Sequence, residues 1–99
     1  MNIEDLYKKV DRLYKDMPTG FLDINSKMIF DGDKVIDEYG YKYIVFYSPI
    51  KASWMLKDIN DGTEKPFAFD TNSVYKSDKL KIYYKNSKAR KKYKIFNWI

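Results

Sequence analysis

The sequence has no Cys and no His among its 99 residues, and it contains only 4 Gly and 3 Pro. Without Cys no disulfide can form, and without Cys or His the common zinc sites are excluded. The usual nucleophile–base pairs of enzymes also need one of these residues. We therefore expect a fold held together by its hydrophobic core, with no cofactor, no bound metal and no enzymatic activity.

Long apolar runs are missing as well. No segment approaches the roughly 18 consecutive apolar residues of a membrane-spanning helix. The N-terminal segment is amphipathic and begins with acidic residues, which does not fit a secretory signal. These absences favour a soluble cytoplasmic protein without a membrane partner, and a chain of this length predicts one domain, residues 1–99.

Positive charge is concentrated near the C-terminus. The net charge is +5, but residues 76–99 hold eight Lys, one Arg and one Asp. This segment therefore carries +8, and residues 1–75 carry −3. Such asymmetry predicts an acidic body with a basic C-terminal quarter.

Residues 1–18 are predicted to form an N-terminal helix. Between residues 2 and 17 the apolar side chains recur every three or four positions, which is typical of an amphipathic helix. Asn2 is a candidate N-cap, and Pro18 with Gly20 predicts the end of the helix. The helix could cover one end of the body, or it could be offered to a partner.

The period of the apolar residues changes to two after Gly20, and aromatic residues are abundant at 18%. Both features favour β-strands. The central strand of a sheet is predicted at 41–48, because both of its faces are apolar. Five further strands are expected at 21–30, 34–38, 52–59, 66–69 and 80–84.

The last residues are predicted to form a basic connector at 86–92 and an apolar final strand at 93–99. The whole pattern predicts a mainly β (α+β) protein. Its N-terminal amphipathic helix is followed, over residues 19–85, by a small SH3-like, partly open antiparallel β-barrel.

Residues 19–35 contain the most specific motif of the chain. It combines Thr19-Gly20 and Asp23 with an Asp31-Gly32-Asp33 corner. Gly32 permits a positive φ at this corner, and the two flanking carboxylates can accept backbone hydrogen bonds. A structural role is favoured over a functional one.

The same stretch resembles the YopX family of phage and prophage proteins. Ser26 stands where that family usually has Gly, and the helix before residue 19 also departs from its pattern. The resemblance implies a phage origin and an SH3-like barrel, and it brings no catalytic residues. The matching positions are Thr19, Gly20, Asp23, Asn25, Lys27, Ile29, Phe30, Asp31, Gly32, Asp33 and Val35.

Two acidic clusters could suggest other chemistry. Asp31, Asp33, Asp37 and Glu38 are close enough in sequence for acid–base work, but carboxylates in turns more often cap backbone N–H groups. Residues 58–64 faintly resemble a calcium loop, with the Gly one place too early for an EF-hand. Neither cluster supports an enzyme or a metal site.

The basic quarter supplies the candidate binding residues. A solvated surface, an acidic protein partner and nucleic acid all remain open for it, because Lys-rich segments serve each of these roles. The basic candidates are Lys85, Lys88, Arg90, Lys91, Lys92 and Lys94. The aromatic candidates are Tyr83, Tyr84, Tyr93 and Trp98.

The sequence favours a non-enzymatic phage or mobile-element protein. It would bind and modulate, for example by inhibition, a host or phage macromolecular complex such as a nucleoprotein. The alternative is direct binding of nucleic acid through the basic C-terminal quarter. Open strand edges also make a homo-oligomer compatible with this fold.

Overall fold

The computed structural model describes residues 2–67 and 79–93. Helix α1 spans Ile3–Tyr14 and helix α2 spans Ser87–Lys92. Between them lie β1 (Pro18–Leu22), β2 (Met28–Phe30), β3 (Lys34–Ile36), β4 (Lys42–Ser48), β5 (Ser53–Asp58), β6 (Glu64–Pro66) and β7 (Lys81–Tyr84).

The described strands form two antiparallel sheets and no closed barrel. One sheet pairs β1 with β2, and the other has the order β6-β5-β4-β3-β7. The central position predicted for the strand at 41–48 is confirmed, because β4 lies in the middle of the five-stranded sheet. The mainly β architecture with an N-terminal helix is also confirmed.

The stretch predicted as a strand at 21–30 is interrupted by a tight turn. The N–H of Ser26 donates to the carbonyl of Asp23 at 2.9 Å, and Leu22 then pairs with Met28 across the hairpin. Ser26 has a φ of 61°, a left-handed conformation that favours glycine. The alternation of apolar residues predicted the strands, whereas local hydrogen bonds decided where they break.

The core lies on one face of the five-stranded sheet and is closed by the β1–β2 hairpin. Strand β4 supplies Tyr43 and Val45, which point to the same side because side chains alternate along a strand. Each large apolar side chain buried there contributes about 1.5–3 kcal/mol. The buried cluster comprises Ile29, Val35, Tyr43, Val45, Leu56, Phe67 and Leu80, with Phe21, Trp54 and Ile82 packed against it.

Helix α1 begins as predicted, with the Asn2 side chain accepting from the N–H of Asp5 at 2.9 Å. It contacts the body near its C-terminal end, where the Tyr14 ring stacks on Tyr47 at 3.6 Å between centroids. Burial raises the pKa of Tyr47, and the neighbouring Tyr14 raises that pKa further. Its apolar residues Ile3, Leu6 and Leu13 stay exposed, so the helix covers the body less than a core helix would.

The prediction of a basic connector at 86–92 is wrong, because these residues form helix α2 and its N-cap. The Asn86 side chain caps the helix by accepting from the N–H of Ala89 at 3.3 Å. Ala89 is the single apolar residue of the helix, so the sequence shows no amphipathic period. The final strand predicted at 93–99 falls mostly outside the described residues, as do residues 68–69 of the strand predicted at 66–69.

Candidate functional site

The motif of residues 19–35 is built into the interior. Asp23 is buried, and its Oδ1 accepts from the N–H groups of Asn25 and Lys27, both at 2.9 Å. Its Oδ2 accepts from the N–H of Ile82 at 3.1 Å, which ties the β1–β2 turn to β7. Gly20, also in the motif, has a φ of 85° in β1. These contacts support the structural interpretation of the motif.

Asp33 is the anchor of α2. Its side chain has no exposed area, and its Oδ2 accepts from the N–H of Phe30 at 2.9 Å. The Oδ1 atom accepts from the N–H of Asn86 at 2.7 Å. Arg90 completes the set with two charge-assisted hydrogen bonds, of 2.6 Å to Oδ1 and 2.8 Å to Oδ2. A buried charge is therefore compensated by a residue from the far end of the chain.

Asn86 joins the same corner to the end of α1. Its Nδ2 donates to the Asp31 carbonyl at 2.6 Å and to Oδ1 of Asp16 at 2.8 Å. Gly32 makes this approach possible, because a Cβ at that position would lie 2.8 Å from Nδ2. Oδ2 of Asp31 accepts from the N–H of Asp16 at 2.9 Å, as expected for a corner carboxylate.

The structure separates the predicted basic residues into two groups. Arg90 turns inward, with 19% of its side chain exposed, and its guanidinium also lies 4.8 Å from the centre of the Phe30 ring. It is therefore a structural residue, in contrast to its predicted place in the basic patch. Four lysines remain exposed on and before α2, and Lys94 lies outside the described residues. The exposed group, which we call the α2 lysines, consists of Lys85, Lys88, Lys91 and Lys92.

The predicted aromatic residues also differ in how far they are exposed. Tyr84 is 62% exposed and Tyr83 is 41% exposed. Tyr93 is half-buried, and its ring lies 6.2 Å from that of Phe30. Trp98 is outside the described residues. Two of the four aromatic candidates are thus available at the surface, both on β7.

The register of the sheet brings further lysines to these two tyrosines. Lys34 of β3 pairs directly with Tyr84, and its Nζ lies 5.0 Å from the centre of that ring. Two positions further along β3, on the same face, Ile36 pairs with Lys42 of β4 on one side and with Lys81 of β7 on the other. The Nζ of Lys42 lies 5.3 Å from the centre of the Tyr83 ring.

Directly paired residues share a face of a sheet, as do residues two apart on one strand. Tyr83 and Tyr84 are adjacent on β7, but the register shift between Lys34 and Val35 leaves both of them opposite Lys34. These lysines and tyrosines therefore form one surface, opposite the core. We call it the lysine–tyrosine face and define it as Lys34, Lys42, Lys81, Tyr83 and Tyr84. The sequence prediction included none of Lys34, Lys42 and Lys81. The neighbours of Lys34 and Lys42 become apparent only from the strand order.

The acidic clusters have structural partners. Asp37 accepts from the N–H groups of Tyr39 and Tyr41 at 2.9 Å and from the Tyr43 hydroxyl at 3.1 Å. Hydrogen bonds from Thr63 lower the pKa of Asp61 in the calcium-like segment. Within residues 2–67 and 79–93, no three His, Cys, Asp or Glu side chains are grouped closely enough to hold a metal ion.

The comparisons with known proteins identify no relative. No family model matches the sequence, and the searches of curated proteins and solved structures find no significant match. Neither helix in the described part of the chain has the length and apolar character needed to cross a membrane.

Proposed function

We propose that this protein is a non-enzymatic binding module of phage or mobile-element origin. It acts in the cytoplasm of the host cell, where it attaches to a host or phage macromolecular complex of nucleoprotein type and modulates it. The resemblance of residues 19–35 to the YopX family supports the phage origin. The same resemblance, together with the mainly β fold, supports an SH3-like arrangement.

The observation that carries this proposal is the way α2 is fixed to the body. Arg90 and Asn86 bind the buried Asp33, while Lys88, Lys91 and Lys92 project from the same short helix. A cationic surface on an anchored helix loses less backbone entropy on binding than lysines on an unanchored loop would. Its field attracts acidic surfaces and phosphates and accelerates association.

Retention of a target complex from host lysate tests the proposal. The charge-reversal variant Lys88→Glu/Lys91→Glu is expected to lose most of the retained complex. The control Lys15→Glu/Lys51→Glu makes the same change of charge at exposed positions outside α2, and it is expected to retain the complex. Equal retention by both variants, or no stoichiometric partner at any salt concentration, would contradict the proposal.

A further inference from the structure

We infer that the lysine–tyrosine face binds single-stranded nucleic acid by stacking bases on Tyr83 and Tyr84. This inference names the nucleic-acid component of the target complex, and it rests on the proposed function. It places the contact on the outer face of the five-stranded sheet, in addition to the α2 lysines.

The two rings of the lysine–tyrosine face are each paired with a positive charge. Tyr84 and Tyr83 each have a lysine Nζ near the ring, at 5.0 and 5.3 Å from the ring centre. A nucleotide offers a flat base beside a phosphate, and a ring beside an ammonium group complements both. Base stacking on an aromatic ring is stronger than an exposed cation–π contact, so an incoming base can displace the ammonium group toward a phosphate.

The lysine–tyrosine face is positively charged. On β3, β4 and β7, the positions that share this face carry no Asp or Glu. Glu64 of β6 lies in the same cross-strand row as Lys34 but three strands away, where it is in register with Lys57 of β5. Among the described residues none of Lys34, Lys42 and Lys81 forms an ion pair, which leaves their charge available to phosphates.

The exposed rings of Tyr83 and Tyr84 favour a single strand over a duplex. Bases within a duplex are already stacked on one another and cannot lie on a protein ring. Exposed tyrosines on a sheet suit unpaired bases, as in other sheet-based single-strand binders.

The experiment measures fluorescence anisotropy of a labelled 20-nucleotide oligo(dT) with the full-length protein. Tyr84→Ala is expected to weaken binding roughly tenfold, because it removes one stacking platform. Tyr84→Phe retains the ring and is expected to bind like the wild type. Tyr39→Ala removes a more exposed tyrosine from the β3–β4 turn and is the matched control, with no expected change.

The salt dependence supplies a second readout. For the variant Lys34→Gln/Lys42→Gln/Lys81→Gln, the slope of log affinity against log salt should become shallower by about 2, at about 0.7 per phosphate for a single strand. The control Lys8→Gln/Lys15→Gln/Lys51→Gln removes the same charge from exposed sites elsewhere and should keep the wild-type slope. Circular dichroism of each variant verifies that it is folded.

Three results would overturn the inference. They are equal affinity for duplex and single strand, an affinity that Tyr84→Ala leaves unchanged, and equal binding of poly-glutamate, which would point to an acidic protein. Absence of oligonucleotide binding with continued α2-dependent retention from lysate would refute this inference and leave the proposed function standing. Oligonucleotide binding without any α2-dependent retention would refute the proposed function instead.

Discussion

Arg90 and Asp33 form a bidentate ion pair between α2 and the corner that precedes β3. The Asp33 side chain has no exposed area, and that of Arg90 is 19% exposed. Desolvating such a pair costs free energy, and the close geometry offsets this cost. Loss of one partner therefore harms the fold more than the net strength of the pair suggests.

Arg90→Ala is expected to lower the free energy of unfolding by roughly 3–5 kcal/mol, because it leaves the Asp33 carboxylate buried and uncompensated. Urea denaturation followed by circular dichroism measures the change. Lys88→Ala, two residues earlier on the exposed side of α2, is the control and should stay within about 0.5 kcal/mol of the wild type. Similar losses for the two variants would show that the ion pair has no special role.

Gly32→Ala should be more destabilising than Gly40→Ala. Both glycines have positive φ, at 82° and 88°, so each substitution imposes a similar backbone strain of about 1–2 kcal/mol. A Cβ at Gly32 would also meet Nδ2 of Asn86, whereas nothing lies within 4 Å of a Cβ at Gly40. Thermal unfolding of the two variants isolates this contact. Equal melting temperatures would mean that Asn86 yields without cost.

Ser26→Gly should stabilise the protein. Ser26 has a φ of 61°, a conformation in which a residue with a side chain is strained by about 1–2 kcal/mol and glycine is not. Glycine also increases the conformational freedom of the unfolded chain, which lowers stability by about 0.5–1 kcal/mol. The expected gain is therefore about 0.5–1 kcal/mol in urea denaturation. Ser53→Gly, within β5, should instead be destabilising. A loss of stability on Ser26→Gly would show that the serine makes a contact worth more than the strain.

Substitutions at Tyr14 and at Leu13 should have very different effects on stability, although the two residues are adjacent in α1. Tyr14→Ala removes the stack on Tyr47 and should cost about 2 kcal/mol of stability, including roughly 0.5–1.5 kcal/mol from the ring pair itself. Leu13 is exposed, so Leu13→Ser should change the stability by less than about 0.5 kcal/mol. Urea denaturation of both variants tests this difference. A large loss for Leu13→Ser would place that side chain in a contact.

Alkaline pH should weaken the fold through Tyr47. The pKa of Tyr47 is raised in the folded protein from its ordinary value of 10.0, mainly by burial and further by Tyr14. Its contribution is therefore complete below pH 10.0 and is lost as the pH rises through the higher folded value. Stability measured by urea denaturation between pH 9 and 11 should fall less steeply for Tyr47→Phe than for the wild type. Parallel pH profiles would contradict this assignment.

The sequence predicted those elements whose apolar residues repeat with a clear period. Helix α1 and strand β4 belong to this class, because each has apolar side chains at regular spacing over two or more turns or pleats. Helix α2 was missed because polar contacts hold it, through Asn86 and Arg90 to Asp33. A hydrogen-bonded ion pair leaves no periodic trace in the sequence.

The candidate surface was predicted in part for a related reason. Tyr83 and Tyr84 were identified because a basic run follows them in the chain. Lys34 and Lys42 join them through cross-strand register, which depends on β7 pairing with β3. Arg90 was assigned to the surface because composition counts charges without showing which way a side chain turns.

The strand order also has a consequence for synthesis on the ribosome. Strand β7 pairs with β3, and Arg90 binds Asp33 across 57 positions of sequence. A nascent chain that has reached β6 therefore exposes the unpaired edge of β3 and a carboxylate still without its guanidinium. The sheet can be completed only after β7 has emerged, and the ion pair can form only after residue 90 has emerged. Folding that depends on such distant contacts is slow, and the incomplete edge is vulnerable to aggregation until then.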